Sequence, residues 1–191
     1  MAGHVAALTL LALTMAGPGD PAGSGAPEAH GTVSRALRLF TAEDLAGHEW
    51  TAAHLRGKVV LLDFWATWCA PCLADLPRLK TLRAAYSRDD FEILGISLDA
   101  MSRRAFVSWL NRHRIDWPQI HERTAYGGEL PRLFGVDRLP RTIVIDRDGR
   151  VAAVDVRGED LARLVELLVT AGISPQATGA RAGARAARAL R

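Results

Sequence analysis

KVVLLDFWATWCAPC, residues 58–72, decides how this chain is read. Within it, Val59–Trp65 (VVLLDFW) is a nearly continuous apolar run of strand length, the pattern of a strand buried on both faces. Just beyond, Cys69 and Cys72 stand two residues apart. After them Leu73, Leu76, Leu79, Leu82 and Tyr86 recur at spacings of three and four, which lines one face of a helix.

A Cys-x-x-Cys pair that opens a helix after a buried strand has a direct chemical use. Cys69 falls at the first turn, where unpaired backbone N–H groups and the helix dipole stabilise a thiolate, so Cys69 is the expected nucleophile. Cys72, one turn further on, is expected to be more buried and to resolve a mixed disulfide. Pro71 suits a helix start, where its missing N–H is not needed. Ala70 and Pro71 add no charge to hold the thiolate, which points to a reductant rather than a strong oxidant.

Outward from this segment, strands and helices alternate. Phe91–Ser97 (FEILGIS) reads as a second strand. Residues 102–114 carry Phe106, Trp109 and Leu110 at helical spacing, with Ser102 as N-cap. A short element at 118–121 and a helical turn at 129–134 follow. Residues 142–145 and 151–156 are strands joined by Asp146-Arg147-Asp148-Gly149, a hairpin signal. Residues 159–170 form an amphipathic helix with Leu161, Leu164, Val165 and Leu168 inward, and Gly172 lies where a left-handed cap belongs. The fold class is α/β, a mixed sheet with helices on both faces.

Of the 191 residues, 49% are hydrophobic and 24% charged, the profile of a soluble globular protein. The net charge is +3, and four tail arginines, Arg181, Arg185, Arg188 and Arg191, exceed it. The rest of the chain is near neutral, so no nucleic-acid partner is expected. Two cysteines are too few for a disulfide framework or a zinc site. His4, His30, His48, His54, His113 and His121 are scattered, and they read as surface or loop residues with no metal role.

Residues 5–15 (VAALTLLALTM) are an uncharged apolar run of signal-peptide length, too short for a comfortable membrane span. Thr14-Met15-Ala16 offers a small-x-small cleavage site, although the preceding residues carry no Lys or Arg. No cysteine lies near that site, which excludes a lipid anchor. The expected organisation is a leader at 1–16, a flexible Gly/Pro/Ala linker at 17–35, one folded domain at 36–172, and a solvated Ala/Arg-rich tail at 173–191.

The segment KVVLLDFWATWCAPC closely resembles the active site of thioredoxins, and the chain as a whole resembles their exported TlpA/ResA-type relatives from about Phe40 to Val169. FTAEDLAGHEWTAAHLRGK looks like that group's N-terminal hairpin, and GVDRLPRTIVIDRDGRV like the block around its cis-proline. The resemblance implies a thioredoxin fold with an N-terminal hairpin and an inserted helix and strand before the cis-proline. It also implies a protein-disulfide reductase working outside the cytoplasm, often on apocytochrome c or metal-site cysteines. Such a protein is recharged by a membrane electron donor and needs no cofactor beyond the redox-active Cys69–Cys72 disulfide. A monomer is expected.

Positions carry over one at a time. Pro140 matches the cis-proline facing the cysteines, and Leu139 offers its backbone to a substrate strand. Pro77 matches the proline that kinks the first helix. Trp68 matches the aromatic beside the nucleophile, and Pro71 lies with it on the substrate side, while Trp65 reads as core. Asp63 matches the buried acid that shuttles the proton of Cys72; many exported relatives carry a neutral amide there. Burial should raise its pKa towards neutrality, and period-two counting puts it on one strand face with Trp65 and Thr67. Asp75 matches an acidic position, usually Glu, in this group. Arg138 and Arg141 flank Pro140, where they either act on Cys69 and an acidic partner or are simply solvated.

Two other classes share some of these features. A peroxiredoxin-like peroxidase needs a Pro and a Thr at set distances before its cysteine, whereas Thr67 is only two residues before Cys69 and no proline lies within ten. A thiol-based copper chaperone would find no supporting Met or His cluster. Oxidase and isomerase directions share the motif with a reductase.

Overall fold

The computed structural model describes residues 26–171. The segments read as a leader, the first part of the linker, the Gly172 cap and the tail lie outside the described residues.

Thirteen short elements follow one another in the described chain. Helix α1 (Ala26–Leu39) leads into a two-stranded hairpin, β1 (Thr41–Glu43) and β2 (Glu49–Thr51). Strand β3 (Val59–Trp65), helix α2 (Ala70–Ala84), strand β4 (Phe91–Ser97) and helix α3 (Arg103–Arg112) come next. The insertion holds β5 (Gln119–His121), a 3-10 turn (Ala125–Gly127) and α4 (Glu129–Leu133). The hairpin β6 (Arg141–Ile145) and β7 (Val151–Val154) and helix α5 (Gly158–Ala171) complete the described chain.

Five strands form one sheet in the order β5-β4-β3-β6-β7. Strand β3 pairs parallel with β4 and antiparallel with β6, so it occupies the centre. That position explains its unbroken apolar sequence, since every residue of β3 is buried. Its alternation divides the core. Val59, Leu61 and Trp65 face the layer built by α2, α3 and α5, with Leu76, Phe106 and Val165. Val60, Leu62 and Phe64 face the other layer, with Val33, Leu37, Phe40 and Phe134. At about 25 cal/mol per Å2, burying such side chains contributes roughly 1.5–3 kcal/mol each.

The β6–β7 turn forms as its Asp-Gly signal predicts. Asp146 accepts the N–H groups of Asp148 and Arg150 through its side chain, and Gly149 takes φ 80°.

Two expectations are corrected. Residues 26–35, read as flexible linker, belong to α1. Val33, Ala36 and Leu37 are buried against the sheet, and this helical apolar stripe outweighs the Gly/Ala-rich composition that suggested a linker. His121 is not a surface or loop histidine. It sits in β5, half-buried, with its ring stacked 4.5 Å from Phe106 and Nε2 2.9 Å from the carbonyl oxygen of Asp99.

Candidate active site

Strand β3 delivers the chain to the site, and the end of β4 fastens it there. Trp65 closes β3 fully buried, its indole N–H donating to Oε1 of Gln119 at 3.0 Å. Two residues later, the N–H of Thr67 donates to the Asp99 carboxylate at 3.0 Å and its hydroxyl donates at 2.6 Å. Ser97 donates its hydroxyl to the same carboxylate at 2.8 Å. Asp99 is therefore buried yet fully engaged, as a buried charge must be.

Cys69 is the N-cap of α2, with extended φ/ψ of −85° and 97°. The Cys72 N–H points at Sγ of Cys69 across 3.3 Å. Sulfur at this position meets the unpaired donors of the helix start, which favours the thiolate once the bond is reduced. Pro71 lies in the first turn, as expected of a residue with no N–H to satisfy, and Pro77 lies within α2. The two cysteines form a disulfide, with Cα atoms 5.3 Å apart. Cys72, expected to be the more buried, is 4% exposed against 5% for Cys69, so the helix start draws both in almost equally.

Trp68 projects outward, 56% exposed, with its ring edge-on to Tyr126 of the insertion at 6.4 Å. The Leu139–Pro140 bond is cis and leads directly into β6. Arg141 and Arg138 do not stand free beside it. Both guanidinium groups engage the Asp155 carboxylate, at 2.8 and 3.5 Å.

Behind the cysteines lies a small cleft lined by Asp63, Cys72, Asp75, Pro140, Thr142 and Arg157, among others. Its free volume, about 10 Å3, is at the lower limit for a single water. Asp63 is buried on the α2 side of β3, as period-two counting expected, and burial pushes its carboxyl up to about 7. The neighbouring Asp75 carboxylate adds to that rise, and Arg157 opposes it. Asp75 lies 3.8 Å from the Arg157 guanidinium. Among the described residues, no group of His, Cys, Asp and Glu is arranged to hold a metal ion.

The sequence-derived residues Asp63, Cys72, Asp75 and Pro140 thus line one cleft. Asp99, Tyr126 and Arg157 were not singled out. Asp99 carried a signal, as the first acid after the apolar run of β4. Tyr126 and Arg157 carried none, because only the folded chain brings the insertion and the β7–α5 junction to the cysteines.

The AhpC/TSA family model matches residues 33–154, most of the described chain. The chain belongs to the AhpC/TSA family. Among curated relatives, it is 30% identical to the thiol-disulfide oxidoreductase ResA of Bacillus thuringiensis over 127 residues, 66% of this chain and 70% of that one. It is also 30% identical to ResA of Geobacillus kaustophilus, over 66% and 72% of the two chains. A solved thiol-disulfide oxidoreductase from Bacteroides fragilis superposes with TM-score 0.60 at 31% identity, covering 68% of this chain and 96% of that one. The thioredoxin domain of a thiol-disulfide oxidoreductase from Bacteroides vulgatus gives TM-score 0.60 at 27% identity, over 69% and 93%. This AhpC/TSA member has the thioredoxin fold the sequence led us to expect, and its activity is that of a thiol–disulfide oxidoreductase.

Proposed function

We propose that the protein reduces disulfides of exported proteins, with Cys69 attacking and Cys72 resolving. The Cys69 thiolate attacks one sulfur of a partner disulfide, forming a mixed disulfide and releasing the first partner thiolate. Cys72 then loses its proton to Asp63, and its sulfur attacks Sγ of Cys69. The bond from Cys69 to the partner breaks, the second partner thiolate leaves and takes up a proton, and the Cys69–Cys72 disulfide forms. The partner gains the two electrons that the dithiol loses. The observation that carries this reading is the cysteine pair at the start of α2, with the buried Asp63 carboxyl lining the cleft behind Cys72. A general base needs a pKa near the working pH, which Asp63 has.

Substrate backbone docks along Leu139 and Pro140, with Trp68 and Pro71 forming the neighbouring wall. Arg141 shapes this edge through Asp155, and Asp75 acts on the cleft behind it. Residues 1–16 direct export to an extracytoplasmic, periplasmic compartment, and the working domain takes in α1 together with the elements that follow it. No described helix is long and apolar enough to cross a membrane. Apocytochrome c or metal-site cysteines are the substrate class, a membrane electron donor restores the dithiol, and the protein acts as a monomer without nucleic acid or an added cofactor.

The deciding experiment equilibrates the Cys69–Cys72 couple against glutathione and dithiothreitol buffers. A potential well below about −200 mV is expected of a reductase. A value near about −120 mV reverses the direction to oxidant or isomerase. Absence of a two-electron couple overturns the assignment altogether.

A further inference from the structure

Asp63 has no charged neighbour within the sheet. Its register partner on β4 is Gly95, and on β6 it is Thr142. A Cβ at Gly95 would lie 2.4 Å from the amide of Gln119, so that side chain would have to shift to admit one. Among the described residues, the other charged groups lining the cleft come from two elements: Asp75 and Arg78 on α2, and Arg157 at the β7–α5 junction. Arg78 is turned towards Glu159 of α5, 3.3 Å away. Arg157 lies 3.8 Å from Asp75, and its charge is felt at Asp63 as well.

Arg157 is held where it is by the sheet. Asp155 adopts a left-handed φ of 59° and donates its N–H to the Thr142 carbonyl at 2.8 Å. The Val156 carbonyl accepts the Thr142 hydroxyl at 2.8 Å. Gly158, with φ 64°, then turns the chain into α5. Thr142, which borders Asp63 across the sheet, therefore also anchors the segment that carries Arg157.

We propose that Arg157 is a positioning residue for the resolving step, its guanidinium shared between Asp75 and Asp63 so that Asp63 exchanges the Cys72 proton readily. This rests on the reading of Asp63 as the base for Cys72. Two carboxylates in one narrow cleft hold a proton tightly between them, and a nearby cation loosens it. Without Arg157, Asp63 holds its proton to a higher pH and takes that of Cys72 less readily near neutrality. Without Asp75, Asp63 ionises more easily. The Arg157–Asp75 pair is half-exposed and contributes little to stability, so its effect is seen in protonation rather than in folding.

The test uses the full chain and two readouts. Carboxyl carbon NMR follows the titration of Asp63 in the oxidised protein, and release of the second thiol from a Cys69 mixed disulfide is timed against pH. Arg157→Gln should move both midpoints upward by about one pH unit. Arg157→Lys should restore them most of the way, and Asp75→Asn should move both downward. Unchanged or falling midpoints in folded Arg157→Gln overturn the inference. If Arg157→Gln does not fold, Asp75→Asn decides, and an Asp63 midpoint that fails to drop rejects the shared field. A wild-type chain with a working dithiol couple but no response to these substitutions removes this inference alone. A chain without the couple removes the functional reading first.

Discussion

The Asp99 carboxylate holds the N–H and the hydroxyl of Thr67 at 3.0 and 2.6 Å, fixing the turn two residues ahead of Cys69. It also satisfies Ser97, so one buried side chain terminates β4 and orients the catalytic turn together. Asp99→Ala strips the buried Ser97 hydroxyl and the two part-buried donors of Thr67 of their acceptor and should cost about 3 kcal/mol. Thr67→Ala, which removes one hydroxyl, should cost about 1 kcal/mol. Urea unfolding of both variants checks the ranking, and equal losses would argue against the shared-anchor role.

Asp63 gives stability a defined pH dependence. The folded protein keeps its proton up to about pH 7, whereas the unfolded chain releases it near about pH 4. Between those values the folded state binds more protons, so stability falls as pH rises from about 4 to about 7 and is flat above. Asp63→Asn removes that loss. The oxidised variant should exceed wild type by on the order of a few kcal/mol at pH 8, with no advantage below pH ~4. The same variant should resolve mixed disulfides more slowly, so stability and turnover move in opposite directions. Denaturation curves at pH 4 and pH 8 are the measurement.

Replacing Cys72 with Ser should stall the reaction after the first attack. A mixed disulfide between Cys69 and the partner then accumulates, visible by mass spectrometry under non-reducing conditions. Cys69→Ser should form no such adduct. An adduct through Cys72 in that variant would exchange the two roles.

Peroxide separates this protein from a peroxidase. The Thr67 hydroxyl is committed to Asp99, and no proline stands in the ten residues before Cys69. The reduced protein should react with hydrogen peroxide no faster than an ordinary low-pKa thiol. Stopped-flow fluorescence of Trp68 and Trp65 reads the rate, and a fast second-order phase would restore the peroxidase reading.

Arg83 and Glu92 form a buried pair, 3.4 Å apart, at the end of α2 distant from the cysteines. Arg83 also donates to the carbonyl oxygens of Tyr86 and Phe91. Arg83→Ala leaves these acceptors and Glu92 short of a partner, with Arg88 as the remaining cation at 2.8 Å. A loss of about 3 kcal/mol is expected. The double variant Arg83→Met, Glu92→Leu should recover much of it, measured by thermal unfolding.

What the sequence disclosed follows from how local its signals are. The apolar run of β3, the helix-spaced leucines of α2 and the Asp-Gly turn each lie within a few residues, and each formed as read. Asp63 was legible because strand alternation fixes its face relative to Trp65. Arg157 was not, since it comes within reach of Asp63 only through the Thr142 contacts of the folded sheet. Arg138 and Arg141 were half legible: their place beside Pro140 was plain, but their engagement with Asp155 depends on a left-handed residue fourteen positions beyond Arg141. Helix α1 was hidden by glycine and alanine, whose composition outweighed the Val33–Leu37 stripe in the reading.

The central place of β3 also bears on when this chemistry becomes available. The surroundings of the cysteine pair are contributed by Asp99 just past β4, by the loop before β6, and by the segment entering α5, all of which follow the cysteines along the chain. A nascent or unfolded chain therefore carries two ordinary thiols. Heightened reactivity switches on only when the carboxyl-terminal half has docked, so an incompletely made molecule is a poor electron donor.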